Sequence, residues 1–382
     1  MGYVAVRGGE DAILNAEALL TAYRRRGASA PLAVDQIADQ LRLAVDRVMA
    51  EGSLYAPTLA ALAIKQAEGD LVEAAFLLRA YRATLARVDI TPPLDTPRMR
   101  LIRRISAAFK DVPGGQMLGP TRDYTQRLLD FGLMRETEAP PDPPRVAVPA
   151  GAPAQPAPVE RVSSYLRREG LLGEPSDDAP APVDITRQPL AFPLPRSARL
   201  QILARGEEGG MLTLAYSSMR GFGNVHPTVA ELRVGYVPVA VRIPGLGAPV
   251  VIGEVLATEV EVIARYGRCG EAGEGPPAFT LGYGFAFGHN ERRAITMAVL
   301  DRALATPSSP GMPATPSTPP ATAPVEDQEF VLQHIDGIEA QGFANHWKLP
   351  HYVDFQSELD RIRAMRSTVA PEAASPLAAP TS

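Results

Sequence analysis

Apolar positions recur at helical spacing early in the chain. Val34, Ile37, Leu41, Val45 and Val48 fall on one stripe, and Gly52 stands where such a stripe should stop. Asp70 and Glu73 form an Asp-x-x-Glu start signal ahead of the run LVEAAFLLRAYRATLARV. A third helix is expected from Thr96, with Pro97 at the first position, where a missing N–H is harmless. On it Met99, Ile102, Ile105 and Phe109 would point one way. Arg100, Arg103, Arg104 and Lys110 would be left as a basic stripe, either a solvated flank or a surface for a polyphosphate or acidic partner. A short opening strand, YVAV, precedes these helices, so residues 1–135 read as a mainly helical domain.

The texture then changes. ELRVGYVPVAVRIP and APVVIGEVLATEVEVIARY are rich in Val and Ile, alternate in places, and are separated by a Gly-Leu-Gly turn, which predicts a hairpin or neighbouring strands. NERRAITMAVLDRAL (290–304) reads as a helix capped by Asn290. Strands flanked by helices without regular β-α-β alternation argue for an α+β domain over 161–304. A third block, 327–367, carries helical signals in EFVLQHIDGIEAQG and DFQSELDRIRAM on either side of the stretch HWKLPHYVDF. Between and after these blocks lie Pro/Ala/Ser-rich segments, at 136–160, 305–326 and 368–382. They offer little apolar surface to offset ordering entropy and read as linkers or insertions and a disordered tail.

Composition narrows the function classes. The chain has 382 residues, 46% of them hydrophobic, so a sizeable core is available. A net charge of −5 rules out wholesale attraction to nucleic acid while leaving room for a local basic pocket. The single cysteine, Cys269, can neither close an intramolecular disulfide nor hold an iron–sulfur cluster alone. The opening MGYVAVRGGEDA lacks a signal-peptide pattern, Val6 breaks the myristoylation pattern, and no stretch approaches the ~20 apolar residues of a membrane span. The expectation is a soluble cytoplasmic protein.

Several stretches carry candidate chemistry. GYGFAFGHNERRA (282–294) approaches a dinucleotide fingerprint, but its G-x-G-x-x-x-G spacing is one residue too long and no β-α-β unit surrounds it. A tight turn leading into a helix and a phosphate site at that helix's N-terminus both remain open. KDVPGGQMLGPTRDY (110–124) sets Gly114 and Gly115 between Lys110 and Arg122, a composition that suits an anion or a plain interhelical loop equally. In MRGFGNVHPTVAELRVGY (219–236), Arg220, Asn224, His226 and Glu231 lie close in sequence. His226 precedes a proline and is held extended, fit for acid–base work or for a structural role. Glu254, Glu259 and Glu261 sit in a Val-rich run, where buried carboxylates need partners.

Two of the five histidines, His346 and His351, flank Pro350. On a helix this i,i+5 pair would diverge by about 140°, so both rings converge only if residues 347–350 bend. Two nitrogens are too few for a structural zinc, and His334 with scattered carboxylates is all the chain offers nearby. The pair is half of a metal site completed from elsewhere, or a polar turn.

The stretches YVAVRGGE, AVDRVMAEG, LAALAIKQAEGD, FLLRAYRATLA, RISAAFKDVPGGQMLGPTRDYTQRLLDF, RGFGNVHPTVAELRVGY, GYGFAFGHNERRA and NHWKLPHYVDFQ resemble the PhnI subunit of the carbon–phosphorus lyase core complex. The resemblance covers nearly the whole chain except the three low-complexity segments, which depart from the more compact family pattern. It implies a transferase that works with G, H and L companion subunits to displace adenine from MgATP with methylphosphonate. The product is α-D-ribose 1-methylphosphonate 5-triphosphate, and the subunit alone would act as a purine nucleosidase. The resemblance also implies contact with a radical-generating J subunit and a zinc at the shared interface, held by His346 and His351. No family motif fixes the remaining roles. The expectation places phosphate on Arg104, Lys110, Gly114, Gly115 and Arg220, and ribose or base contacts on His226, Glu231 and Glu254. The competing expectation is a non-catalytic scaffold that organises partner subunits around an interface metal.

Overall fold

The computed structural model describes residues 9–125, 127–136, 159–172, 182–191, 194–217, 226–268, 276–305 and 346–369. YVAV, Cys269, Arg220, Asn224, His334 and most of the Pro/Ala-rich segments lie outside them. The chain divides into two compact units, Met1–Ala86 and Arg87–Ser382.

The first unit is helical: α1 Gly9–Arg24, α2 Val34–Gln40, α3 Arg42–Gly52, α4 Pro57–Gln66 and α5 Leu71–Thr84. The expected stripe is real except at Leu41, which is exposed: Ile37, Val45 and Val48 lie in the core beside Met49, Ala60, Ile64, Ala74 and Leu78, with Val34 packed against it. It is not one helix, however. Leu41 adopts φ −106° and ψ 37°, ending α2 and opening α3. Asp70 caps α5 as its sequence signal predicts, accepting hydrogen bonds from the Val72 and Glu73 amides. Gly52 has a packing reason: a Cβ there would stand 2.9 Å from Leu78 Cδ2.

The second unit is built on a four-stranded antiparallel sheet, β1 Arg100–Ile105, β2 Thr228–Val241, β3 Val250–Arg268 and β4 Pro277–Phe287, in that spatial order. The helices α6 Val162–Arg168, α7 Arg196–Ala204, α8 Glu208–Ser217, α9 Glu291–Ala305 and α10 Tyr352–Val369 accompany it. The predicted β2–β3 hairpin is present, and α9 starts directly after Asn290. Together these give the expected α+β class.

The helix expected from Thr96 does not form. Thr96–Arg98 makes one 3₁₀ turn, and the chain then enters β1, paired antiparallel to β2. Consequently Arg103 and Arg104 are buried rather than displayed on a basic stripe. Burial of a guanidinium is tolerable only with carboxylates and carbonyls around it, and β2, the glycine loop and the start of α9 supply them from distant sequence.

Alternation along the strands gives the sheet two apolar faces. Leu232, Val234, Val260 and Val262 pack with Ala294, Ile295, Ala298 and Val299 of α9. Ala230, Ile263 and Phe279 pack with Leu166 of α6 and with Phe355, Leu359 and Ile362 of α10. The fingerprint-like glycines explain the closeness of α9: a Cβ on Gly282 would meet Ala298 O at 2.0 Å, and one on Gly284 would meet Ala294 O at 1.9 Å. Two residues of strand rise about 6.8 Å and four of helix about 6.0 Å, so the helix runs antiparallel to β4 almost in register. In GYGFAFGHNERRA the turn into α9 falls at Gly288, φ 72°, while Gly282 and Gly284 lie within β4 and serve this close packing, a use neither sequence reading named.

A candidate metal centre

The segment from His346 to His351 bends, and the bend is held from several sides. Trp347 is 1% exposed and packs into the core beneath α9. The Leu349 amide donates to His346 O at 3.0 Å, and the His351 amide donates to Ala107 O at 2.9 Å, just beyond β1. Pro350 keeps the preceding residue out of the helical region, so α10 starts only at Tyr352, with Phe355 N donating to His351 O at 2.9 Å. The bend brings His346 Nε2 and His351 Nε2 to 3.0 Å.

Their chemistry follows from that geometry. His351 Nδ1 lies 2.5 Å from Leu349 O, and a carbonyl only accepts, so Nδ1 carries the proton. The Nε2 lone pair is then directed at His346, the tautomer a metal-binding imidazole requires.

The strand side contributes a third imidazole. His226, held extended ahead of Pro227 at the entrance to β2, places its ring centroid 5.0 Å from that of His351 and 5.6 Å from that of His346. One ligand nitrogen from each of the three rings lies within 4.8 Å of the others. Partial desolvation, then repulsion from His351 and His346, holds His226 below the usual histidine range. Desolvation followed by His351 does the same for His346. Both rings are therefore neutral at neutral pH, as nitrogen ligands must be. Three imidazoles fit zinc or a similar borderline ion and leave a fourth position open, the pattern of sites that bind a substrate oxygen or a ligand from another chain. Sequence spacing pointed to the pair and set His226 apart; only the fold shows that the start of β2 lies over the bend.

Beneath the bend lies a buried charge cluster that sequence reasoning did not identify. Lys348 Nζ sits 2.8 Å from Asp123 Oδ1 and 2.5 Å from Glu291 Oε2. The Arg103 guanidinium pairs with Asp123 and lies 2.8 Å from Glu291 Oε1, and it also donates to Leu118 O. His289 Nε2 contacts Glu291 Oε1 at 2.7 Å. Burial alone would raise the Glu291 carboxyl, but His289, Lys348 and Arg103 hold it down to about 2. A lysine lying between two candidate ligands and buried with them was the available signal.

The other expected site residues lie apart from the histidines. Arg104 and Glu231 form a buried ion pair at 2.5 Å. Arg104 further donates to Pro113 O, Gly115 O and Glu160 O, while Glu231 accepts from the Val162 amide. Gly114 and Gly115 have φ of 80° and 74°, and their loop turns carbonyls toward Arg104. Lys110 and Arg122 are exposed. Glu254 is exposed and pairs with Arg100 at 2.8 Å. It lies nine residues along β3 from the register partner of Thr228, about 30 Å at strand rise. Glu259 and Glu261 do find partners: Glu259 pairs with Arg233 and Arg161, and Glu261 with Arg161. Burial would raise Glu259, but those two guanidinium groups keep it low.

Comparison with known proteins identifies the family. The family model "Bacterial phosphonate metabolism protein (PhnI)" matches residues 2–369. The alpha-D-ribose 1-methylphosphonate 5-triphosphate synthase subunit PhnI of Escherichia coli (strain K12) is 51% identical over 365 residues, covering 95% of this chain and 98% of that protein. The subunit of the same name from Rhizobium meliloti (strain 1021) is 48% identical over 370 residues, 95% of each chain. No helix among the described residues is long and apolar enough to cross a membrane. On a match that spans both units and includes His226, the 346–351 bend and the glycines under α9, the chain belongs to the PhnI family of bacterial phosphonate metabolism proteins.

Proposed function

We propose that this chain is the subunit of a carbon–phosphorus lyase system that joins an alkylphosphonate to the ribose of MgATP with release of adenine. The observation that carries the proposal is the 51% identity, over nearly full length, to a relative named as a subunit of alpha-D-ribose 1-methylphosphonate 5-triphosphate synthase. In the reaction a phosphonate oxygen forms a bond to ribose C1′. The C1′–N9 bond breaks, its electron pair leaves with adenine, and a proton neutralises the departing base. Without companion subunits, water takes the place of the phosphonate and the chain is a purine nucleosidase. Both routes pass through an oxocarbenium-like state, stabilised by protonating the base and by hydrogen bonds to the ribose 2-OH.

The three histidines fit a zinc at the interface with the J subunit, and His226 then serves as a ligand rather than as a general acid. Bound zinc would act as a Lewis acid toward an oxygen entering its open position. Arg104 and Glu231 already serve each other, so the exposed Lys110 and Arg122 beside the glycine loop are the cations we assign to the triphosphate and its Mg²⁺. The scaffold reading is favoured by a different observation. Leu128, Leu129, Phe131 and Met134 are 77%, 83%, 70% and 82% exposed, a density of bare apolar groups that suits burial by G, H, J or L subunits.

One experiment separates the two. The chain is produced alone and with its companions, given MgATP with and without methylphosphonate, and free adenine is quantified by chromatography. Adenine release by the chain alone, redirected to the phosphonate product by the companions, is expected. A folded chain that releases no base, and adds nothing to its companions' turnover, makes it a scaffold.

A further inference from the structure

We infer that Lys348 is the positioning residue of the three-histidine centre: its buried ammonium locks the 346–351 bend so that the His346 and His351 Nε2 atoms converge. The inference rests on the metal reading for its purpose, but its geometry holds without a metal.

Lys348 is 7% exposed in a bend otherwise anchored by Trp347. Its ammonium lies between Asp123 and Glu291, which come from the end of the glycine loop and from the first residue of α9. Arg103 closes the same cluster from β1. Two cations and two carboxylates sum to zero, so the cluster adds no net charge beside the imidazoles. Two separate elements thus grip one side chain while β1 braces both carboxylates, and that side chain lies between the two ligands in sequence. Backbone bonds at the bend include Leu349 N to His346 O within it, and His351 N to Ala107 O and Phe355 N to His351 O at its end. To these the buried Lys348 ion pairs add a side-chain anchor between the two ligands.

Lys348 differs from a residue that only stabilises the fold. Its loss frees the bend to rotate His351 away from Leu349 O, which erases the tautomer preference and spreads the two Nε2 atoms. Outer groups that orient metal-binding histidines are typically worth about 10–100-fold in metal affinity, and a loss of that size is expected here.

The test uses the full chain, its Lys348→Met and Asp123→Asn variants, and Zn²⁺ or Co²⁺ as probe. Three readouts are taken: metal affinity, the Co²⁺ visible spectrum, and ¹⁵N spectra of the metal-free histidines. Both variants should weaken Zn²⁺ about 10–100-fold and alter the Co²⁺ bands. They should also shift His351 from a single Nδ1–H tautomer to a mixture. The double variant should lose little more than either single one, because both break the same contact. If Lys348→Met fails to fold, Asp123→Asn carries the same readouts. Variants with wild-type affinity and an unchanged His351 tautomer, merely melting at a lower temperature, would overturn the inference. A wild-type chain that binds no metal, yet loses its His351 tautomer in Lys348→Met, refutes the metal reading and leaves the positioning role standing.

Discussion

Replacing His226 with Ala should cost the centre one of three ligands while leaving the fold intact. The two Nε2 atoms of the bend stand 3.0 Å apart. Nitrogens about 2.0–2.1 Å from a tetrahedral zinc stand about 3.3 Å apart, so the pair is almost at ligand spacing already. His226 lies close enough to complete a facial set with them, all within 4.8 Å. Structural zinc sites with four ligands bind with roughly 10–16 kcal/mol. Shared equally, that is about 2.5–4 kcal/mol per ligand, or roughly 100- to 1,000-fold in affinity per histidine. The assay is competition of the full chain against a chromophoric chelator for Zn²⁺, with the melting temperature of the metal-free protein as a check on folding. Because desolvation and mutual repulsion already hold His226 and His346 neutral below the usual histidine range, proton competition should set in at lower pH than for free imidazole. His226→Ala with Zn²⁺ affinity within threefold of wild type refutes the three-ligand centre and returns His226 to the acid–base candidates.

Two further outcomes test the frame around the centre. Gly284→Ala should destabilise the second unit by about 1–3 kcal/mol or more. Its Cβ would sit 1.9 Å from Ala294 O, so α9 would have to withdraw by over an ångström; urea unfolding that matches wild type would contradict the close helix–strand packing. Glu291 has a folded pKa of about 2 against an ordinary value of 4.5, so its stabilisation is present above about pH 4.5 and is lost as pH falls toward 2. The shift corresponds to about 3 kcal/mol. Urea unfolding should therefore show Glu291→Gln much weaker than wild type at pH 6, with the gap falling to about half or less by pH 3 and closing only below pH 2, and a gap independent of pH would assign the loss to shape rather than charge.

Much of the frame could be read before folding because it rests on local signals. Asp70 precedes the amides it caps, and the Val-rich runs of β2 and β3 meet across a short Gly-Leu-Gly turn, so both were legible within a few residues. Leu101 to Ile105 was not. The run L-I-R-R-I satisfies a helical stripe as well as a strand, and what decides is the partner supply. Arg104 is neutralised by Glu231, 127 residues away, and Arg103 by Asp123, 20 residues away. No window-sized pattern contains those pairs. The same holds for Gly282 and Gly284, whose spacing imitates a phosphate loop because close backbone approach is the shared requirement of both uses.

The candidate centre shows the same limit more sharply. The spacing of His346 and His351 required a bend if they were to act together, and the bend exists. What spacing could not supply was the force that holds it, because that force is carried by Asp123 and Glu291 and reaches the bend through Lys348. Nor could it supply the third imidazole, which depends on the start of β2 passing over the end of β1. His226 and Glu231 are five residues apart in sequence yet serve different ends, one facing the histidines and the other buried against Arg104. A strand turns consecutive side chains to opposite faces, so closeness in sequence there does not imply a shared site. The residues that do share one, His226, His346 and His351, come from a strand entrance and the two ends of a bend, and the sheet is what brings that entrance to the bend.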